Sequence, residues 1–236
     1  MKRTVVITGG TKGLGREIAL AFGRAGYFVV VFYSSDDAAA EQLKAAFADT
    51  KAEGCVLRHD VSSEDAAVWS RREIQDADNL TLIHNACASF CPLPMHQLRW
   101  QDFESSFNVG VKGAWLSSQA LIRLMLKKGC CSIVNILTSA VEGMPPKGFA
   151  AYVTAKHALR GLTLALASEY GPRGVRVFSV SPGFMDTPLT ERWDPRLKNA
   201  IRSVSTRISD PAEAARRLLD LVQDHSVVGQ GADYPI

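Results

Sequence analysis

Short runs of Val and Ile alternate along this chain with stretches of helical length, and this rhythm limits the fold more than any other feature. Six runs predict strands, at residues 4–8, 28–32, 55–59, 81–84, 132–137 and 175–180, and residues 231–234 form a candidate seventh. Most runs lack strict alternation of polar and apolar residues, which is typical of strands buried on both faces. Between the first two strands, Leu14, Ile18, Phe22 and Ala25 form one apolar helical stripe. We therefore predict an α/β fold, a doubly wound parallel sheet of about seven strands with helices on both faces.

The composition excludes several classes of protein. With 27 Lys and Arg against 24 Asp and Glu, the formal net charge of +3 is too small for a dedicated nucleic-acid binder. The chain is 47% hydrophobic, which is enough to build a core and excludes disorder as its main state. No linker or repeat divides the 236 residues, so we expect a single domain over residues 1–236.

The same inspection predicts where the chain resides. No apolar run approaches the roughly 20 residues that a membrane-spanning helix needs, and the apolar run after Met1-Lys2-Arg3 is too short for a signal peptide. The five cysteines are an odd number in no disulfide framework, which favours free thiols in a reducing compartment. The histidines share no ligand spacing with them, so no metal site is expected. We predict a cytoplasmic protein with no membrane partner.

A glycine-rich turn follows the first strand and opens the first helix. It carries Gly9, Gly13 and Gly15. Glycine permits positive φ and lets a pyrophosphate approach backbone N–H groups, toward which the helix N-terminus directs partial positive charge. A strand-to-helix turn with no ligand is the simpler alternative, but the strand before it and the amphipathic helix after it favour a dinucleotide site.

The spacing Gly-x-x-x-Gly-x-Gly, together with motifs downstream, resembles the short-chain dehydrogenase/reductase family, and among its members the 3-oxoacyl-acyl-carrier-protein reductases. The other motifs are Asp60-Val61, His84-Asn85-Ala86-Cys87, Tyr152-x-x-x-Lys156 and Ser181-Pro182-Gly183 with Thr187 beyond. The resemblance implies one NAD(P)-binding Rossmann domain with a substrate lid at about 184–207. It also implies a set of cofactor-binding residues: Gly9, Lys12, Gly13, Leu14, Gly15, Ser34, Asp60, Val61, Asn85, Ala86, Tyr152, Lys156, Pro182, Gly183 and Thr187.

The choice between the two nicotinamide dinucleotides depends on the end of the second strand. An acidic residue there accepts the ribose 2′-hydroxyl and repels a 2′-phosphate. Tyr33 stands at that position, Ser34 and Ser35 can donate to a phosphate, and Lys12 adds a positive charge. The acidic residues Asp36 and Asp37 argue the other way if they turn inward, although helix N-capping is their simpler interpretation. We predict that NADP(H) is preferred over NAD(H).

The catalytic residues implied by the resemblance are Ser139, Tyr152 and Lys156. Tyr152 and Lys156 lie one helical turn apart and share a face, where an ammonium and an oxidised nicotinamide lower the pKa of a phenol toward a usable acid and base. Alone, such a spacing also occurs on solvated helix faces. Ser139 lies thirteen residues before Tyr152, as the family's serine does, and Thr138 is the alternative because the strand ending is one residue longer than usual.

Two positions depart from the family pattern. Gly110 replaces the Asn that holds a relay water beside the catalytic lysine, and Asn108 points elsewhere because two residues rotate about 200° around a helix. A helix irregularity at Gly110 would still leave a backbone carbonyl for that water. Cys87 replaces a Gly, and we interpret it as a small buried side chain rather than a reactive thiol.

These features predict an NADPH-dependent ketoreductase acting on an acyl or polyketide-like ketone, free or carrier-bound. The alternatives are an oxidative alcohol dehydrogenase acting on a sugar, steroid or specialised metabolite, and a cofactor-binding interaction protein with little catalysis. Basic residues within 184–207 are either a solvated helix face or a docking site for an acidic partner. Helices near 107–127 and 152–169 are more apolar than one sheet face requires, which predicts a homodimer or homotetramer.

Overall fold

The chain folds around a sheet of seven parallel strands in a computed structural model that describes residues 2–205, 207–224, 226 and 229–236. Thr206 of the predicted lid and Val228 near the last predicted strand lie outside these residues. In chain order the strands are β1 Arg3–Thr8, β2 Phe28–Tyr33, β3 Gly54–Arg58, β4 Asn79–His84, β5 Cys131–Ile136, β6 Val175–Ser181 and β7 Asp233–Pro235. Every predicted strand, the candidate seventh included, is thus confirmed to within a few residues.

Helices cover both faces of the sheet. They are α1 Gly13–Arg24, α2 Asp37–Thr50, α3 Arg72–Gln75, α4 Trp100–Phe107, α5 Gly113–Lys128, α6 Ala150–Tyr170, α7 Pro195–Val204 and α8 Pro211–Gln223. One hydrophobic cluster joins α1 and α8 to one face, and a second joins α5 and α6 to the other. The inner strands are almost wholly buried, which explains why their sequences do not alternate.

The strand order is β3-β2-β1-β4-β5-β6-β7. The order reverses between β1 and β4, whose residues pair from Arg3 and Asn79 to Thr8 and His84. The loops that leave the carboxyl ends of these two strands run in opposite directions and open a crevice, where ligands bind in doubly wound sheets. The predicted fold is confirmed, and its topology directs attention to this edge.

The long helix predicted near 107–127 is interrupted. A π-helical turn, Asn108–Lys112, joins α4 to α5, and Gly113 N–H donates to the carbonyl of Asn108 five residues earlier. This turn packs against α6. The irregularity lies where the sequence had Gly110, so the helix is distorted at the position that departs from the family pattern.

No helix in the described part of the chain is long and apolar enough to span a membrane.

Candidate functional site

A cleft of about 320 Å³ lies at the carboxyl edge of the sheet, where β1 and β4 diverge. Twelve of the residues expected to bind the cofactor line it: Gly9, Lys12, Gly13, Leu14, Gly15, Ser34, Asn85, Tyr152, Lys156, Pro182, Gly183 and Thr187. Residues from five separate segments therefore converge on one cavity at the topological switch point, which is the arrangement that doubly wound folds use for a nucleotide.

The glycine-rich turn is shaped by close backbone approaches. Gly9 has φ of +65°, and a Cβ there would lie 2.8 Å from the Cα of Ala86. A Cβ on Gly15 would lie 2.3 Å from the carbonyl oxygen of Gly9 and 2.5 Å from the amide nitrogen of Asn85. Side chains are therefore excluded, and the N-terminus of α1 stays open to a phosphate. The turn fits a dinucleotide.

Asn85 and Thr8 hold the two diverging loops together. The Asn85 side chain donates to the carbonyls of Thr8 and Gly9, at 3.1 and 2.8 Å. The Thr8 hydroxyl accepts from the backbone N–H groups of Asn85 and Ala86, both at 3.1 Å. Ala86 thus supports the turn from behind, and the floor of the cleft is rigid.

One cation, Lys12, lines the far end of the cleft, and a second, Arg58, contacts the lining residue Ser34. Lys12 forms an ion pair with Asp36 at 2.5 Å, and Asp36 also caps α2 by accepting from Ala39 N–H, as its N-capping interpretation predicted. The Lys12 hydrogen bond and then the Ala39 N–H lower the pKa of Asp36. Arg58 donates from Nε to the carbonyl of Ser34 at 3.1 Å.

Arg58 was missed by the sequence analysis. It ends β3 in register with Tyr33, the last residue of β2. Because parallel strands end at one edge, its position beside the ribose-binding end of β2 was the available signal.

Asp60 and Val61 do not line the cleft. The Asp60 carboxylate accepts from the backbone N–H and the hydroxyl of Ser62, as a turn residue does. Val61 is buried and packs against Gly113, where an added Cβ would lie 2.7 Å from the Val61 side chain. Their expected contact with the adenine ring stays a prediction.

Tyr152 and Lys156 project from α6 into the near end of the cleft. Lys156 is buried, donates from Nζ to the carbonyl of Ile136 at 2.7 Å, and lies 5.7 Å from the centre of the Tyr152 ring. The side-chain hydroxyl that acts on the pKa of the Tyr152 phenol is that of Thr138, which lowers it. Thr138 lines the cleft with both residues.

Ser139, the expected partner of Tyr152, is placed differently. Its backbone N–H donates to the carbonyl of Pro182 at 2.8 Å, and its side chain lines a neighbouring cavity instead of the cleft. The extra residue at the end of β5 explains the difference, because it moves Thr138 into the position beside the phenol. The structure therefore favours the alternative hydroxyl.

Burial shifts the pKa values of both acid–base groups, Tyr152 and Lys156, in the direction that favours their neutral forms. Burial raises the pKa of Tyr152, the negative charge that Cys87 carries once its thiol ionises raises it further, and the Thr138 hydroxyl lowers it in part. Burial lowers the pKa of Lys156. In the chain by itself desolvation dominates the pKa of the phenol; the lowering expected from the Lys156 ammonium together with an oxidised nicotinamide stays a prediction. The phenol is held in its protonated form.

Three aromatic side chains that the sequence analysis did not single out enclose Tyr152. Phe90 stacks on its ring with centroids 4.5 Å apart and planes 13° apart. Phe149 meets it edge-on at 5.7 Å, and Trp193 contacts both phenylalanines. Their positions in three separate loops give no periodic signal, so only the folded chain reveals the cluster.

Cys87 lines the cleft beside the catalytic pair, and its thiol donates to the carbonyl of Ala88 at 3.4 Å. Burial raises its pKa, which keeps the thiol neutral and argues against a reactive thiol, although the residue is half-buried rather than fully buried as expected. Within the described ranges, no group of three or more His, Cys, Asp or Glu side chains could hold a metal ion.

Known proteins share this architecture and sequence. The family model for short chain dehydrogenases matches residues 3–198. The chain is 32% identical over 244 residues to an acetoacetyl-CoA reductase of Allochromatium vinosum, covering 100% of this chain and 97% of the relative. It is 29% identical over 238 residues to the 3-oxoacyl-acyl-carrier-protein reductase FabG of Pseudomonas aeruginosa, covering 99% and 95%.

A solved structure from Beutenbergia cavernae, assigned as an NAD(P)-dependent gluconate 5-dehydrogenase with NADP bound at low occupancy, superposes with a TM-score of 0.87. It is 27% identical, and the match covers 99% of this chain and 94% of that one. The chain thus belongs to the short-chain dehydrogenase family, as an NAD(P)-dependent oxidoreductase acting on CH–OH and C=O groups.

Proposed function

We propose that this chain is an NADPH-dependent ketoreductase. The observation that carries the proposal is the half-buried Tyr152 phenol, which lies in the cleft with Thr138 and close to Lys156. A phenol held protonated is ready to donate a proton, which is the requirement of ketone reduction. The reverse oxidation needs the phenolate first.

The nicotinamide, when bound, supplies or accepts the hydride. In our proposal Tyr152 protonates the alkoxide that develops on the substrate oxygen, and Thr138 donates a hydrogen bond that stabilises it. Lys156 holds the ribose hydroxyls. During oxidation its positive charge favours the phenolate form of Tyr152. The glycine-rich turn and the N-terminus of α1 hold the pyrophosphate.

The preference for NADP(H) forms part of the proposal. Lys12, Ser34 and Ser35 line the far end of the cleft, and Arg58 approaches it through Ser34. A 2′-phosphate at this end of the cleft would lie near two cations. Tyr33 stands in place of the acidic residue that would bind the ribose hydroxyl and repel a phosphate. Asp36 works against the preference because its carboxylate already pairs with Lys12.

Titration of NADPH and NADH fluorescence tests the cofactor assignment. We expect NADPH to bind at least about tenfold more tightly, equivalent to about 1.4 kcal/mol. Lys12→Ala and Arg58→Ala each narrow that difference by weakening NADPH, and Asp36→Asn widens it. Equal affinities in the unmodified chain would refute the preference without touching the assignment of the catalytic residues.

The reaction itself is tested by NADPH oxidation with acetoacetyl-CoA, simple cyclic ketones and 5-ketogluconate. The expected acyl or polyketide-like substrate stays one candidate, supported by the acetoacetyl-CoA reductase relative. Tyr152→Phe should keep NADPH affinity while turnover falls by about 10²–10⁴-fold. If NADPH binds tightly but no ketone or alcohol turns over, the chain is instead a cofactor-binding interaction protein.

A further inference from the structure

One segment of the chain lines the cofactor cleft and also packs beside the catalytic tyrosine. We call residues 185–193, between β6 and α7, the bridging segment. Its residues that line the cleft are Met185, Thr187, Pro188 and Leu189. Its last residue, Trp193, is only 5% exposed and belongs to a hydrophobic cluster that Tyr152 also joins. The segment therefore joins the cofactor site to the surroundings of the tyrosine.

Short-range hydrogen bonds hold the bridging segment together. Thr190 N–H donates to the carbonyl of Thr187 at 2.9 Å, and Trp193 N–H donates to the carbonyl of Thr190 at 3.1 Å. The Thr190 hydroxyl, in a residue that is 5% exposed, accepts from Thr187 N–H at 3.3 Å. Because these bonds join residues three positions apart, the part that lines the cleft and Trp193 form one compact unit.

Trp193 anchors this unit to the loop after β4. Its indole Nε1 donates to the carbonyl of Phe90 at 2.8 Å, across 103 residues of chain. Its ring meets Phe90 at 5.1 Å and Phe149 at 5.5 Å between centroids, both edge-on. A buried indole N–H needs an acceptor, and loss of either partner leaves the other unsatisfied. Trp193 thus fixes both the backbone and the ring of Phe90.

Phe90 in turn fixes the ring of Tyr152. Helix α6 sets only the backbone of Tyr152, and two side-chain torsions decide where its phenol oxygen lies. Phe90 stacks on the ring with centroids 4.5 Å and planes 13° apart, and Phe149 meets its edge at 5.7 Å. A reacting group misplaced by about 1 Å can lose about 10²-fold in rate. The orientation of the phenol therefore depends on Phe90, and the place of Phe90 depends on Trp193.

We propose that Phe90 and Trp193 are positioning residues, through which the bridging segment holds the Tyr152 phenol in its reactive orientation. This inference rests on the ketoreductase function proposed above. Neither Phe90 nor Trp193 lines the cleft, so both act on the reaction through Tyr152 and not through contact with the cofactor.

A double-mutant cycle tests whether Phe90 acts through the phenol. Phe90→Leu removes the stacked ring and keeps an apolar side chain, so kcat should fall about tenfold with the best of the ketones named above. In a Tyr152→Phe background, which has already lost the proton donor, the same change should lower kcat by less than about twofold. NADPH affinity should be unchanged. Phe90→Tyr keeps a ring on Tyr152 and should restore kcat to within about twofold of the unmodified chain.

Hydrogen exchange, measured by mass spectrometry on peptides that cover residues 185–193, tests the anchor. Trp193→Phe keeps a ring but removes the donor to the Phe90 carbonyl, so exchange there should become about tenfold faster and kcat should fall about threefold. Trp69→Phe is the matched control. Trp69 is 3% exposed and meets Phe32 edge-on in the sheet core, so its substitution should leave both quantities unchanged.

Exchange needs no turnover, so the two proposals fail separately. If no ketone is reduced, the proposed function fails, yet Phe90→Leu should still make exchange of residues 185–193 faster. The inference is overturned if Phe90→Leu lowers kcat equally with and without the Tyr152 hydroxyl, because the effect then bypasses the phenol. It is equally overturned if a folded Trp193→Phe variant keeps both the kcat and the exchange rates of the unmodified chain. Should Phe90→Leu fail to fold, Trp193→Phe decides alone.

Discussion

Thr138 and Ser139 are neighbours in sequence, but only Thr138 lines the cleft. Thr138 lies there with Tyr152 and Lys156, whereas Ser139 lines only the neighbouring cavity, which Thr138 also borders. We expect Thr138→Val, which removes the hydroxyl and keeps the shape, to lower kcat/KM by about 10²-fold because a donor to the developing alkoxide is lost. NADPH affinity should be unchanged, and steady-state kinetics with fluorescence titration measure both.

Ser139→Ala provides the comparison. Its hydroxyl does not contact the phenol, so kcat should fall by no more than about fivefold. Any change in substrate contacts should appear in KM instead. The reverse order of effects, with the larger loss in Ser139→Ala, would restore Ser139 as the catalytic hydroxyl.

His84 is a buried base whose protonation opposes folding. Its Nδ1 lies 2.6 Å from the Asn135 side-chain oxygen and its Nε2 lies 2.8 Å from the Ser117 hydroxyl, while Asn135 donates onward to Thr163. Burial lowers the pKa of His84 to about 4. The imidazole is therefore neutral in the folded chain at pH values where the unfolded chain begins to bind a proton.

The sign of the pH dependence follows from that difference. Between pH 6.5 and 4 the unfolded state binds more protons at His84, so the free energy of unfolding falls as pH falls. From pH 7.5 to 5.5 the loss should be about 1 kcal/mol, measured by urea unfolding at both pH values. His84→Asn should remove most of this slope. A slope that persists unchanged in the variant would show that other groups cause it, with half-buried His59 the first candidate because burial also lowers its pKa.

At the scale of elements, we expect the π-helical turn Asn108–Lys112 to compensate for Gly110, which stands where the family has Asn. A Cβ on Gly110 would have no heavy atom within 4 Å, so Asn fits there without a clash. The turn lies next to α6, the helix that carries Lys156. It replaces ordinary helical hydrogen bonds, and such turns leave backbone carbonyls free to accept other hydrogen bonds. We expect this backbone to serve the relay water already, so Gly110→Asn should change kcat by less than about twofold.

Turnover and the solvent isotope effect of the Gly110→Asn variant show whether the turn compensates for Gly110. Gly161→Asn is the control for the helix-propensity effect of a few tenths of a kcal/mol, because Gly161 also faces open space within a helix. If Gly110→Asn instead raises turnover severalfold and weakens the solvent isotope effect, proton supply limits the natural enzyme and the π-helical turn does not compensate.

The elements differ in how well the sequence predicts them. Strands such as β1 and β6 are apolar runs ended by Gly or Pro, so local pattern determines them. The π-helical turn has no such pattern, because Asn108 to Lys112 read as ordinary helix and only packing against α6 reveals the extra residue. Thr138 was predictable as the alternative hydroxyl from the longer strand ending, whereas Arg58 and Phe90 depend on which strand ends and loops become neighbours. That proximity is a property of the tertiary fold, which a single sequence does not encode locally.

At the scale of the molecule, two adjacent helices expose large apolar side chains. Trp115 on α5 is 55% exposed and Leu164 on α6 is 52% exposed. Neither side chain completes a core in the single chain, and exposed apolar patches on soluble folds mark interaction surfaces. We propose that a second copy of the chain covers α5 and α6, in the homodimer or homotetramer that the sequence analysis predicts.

Light scattering at micromolar concentration should therefore report a mass of at least twice the 25.6 kDa of one chain. Trp115→Lys places a charge at the centre of the contact, and the cost of burying it unpaired should shift the mass toward one chain. Met95→Lys is the matched control, since Met95 is 72% exposed but lies in the loop before α4. A monomer in the unmodified chain would refute the assembly. If Trp115→Lys keeps the full oligomer mass, the contact must lie on another surface. A symmetric interface at Trp115 would bury one unpaired charge from every copy and would be disrupted.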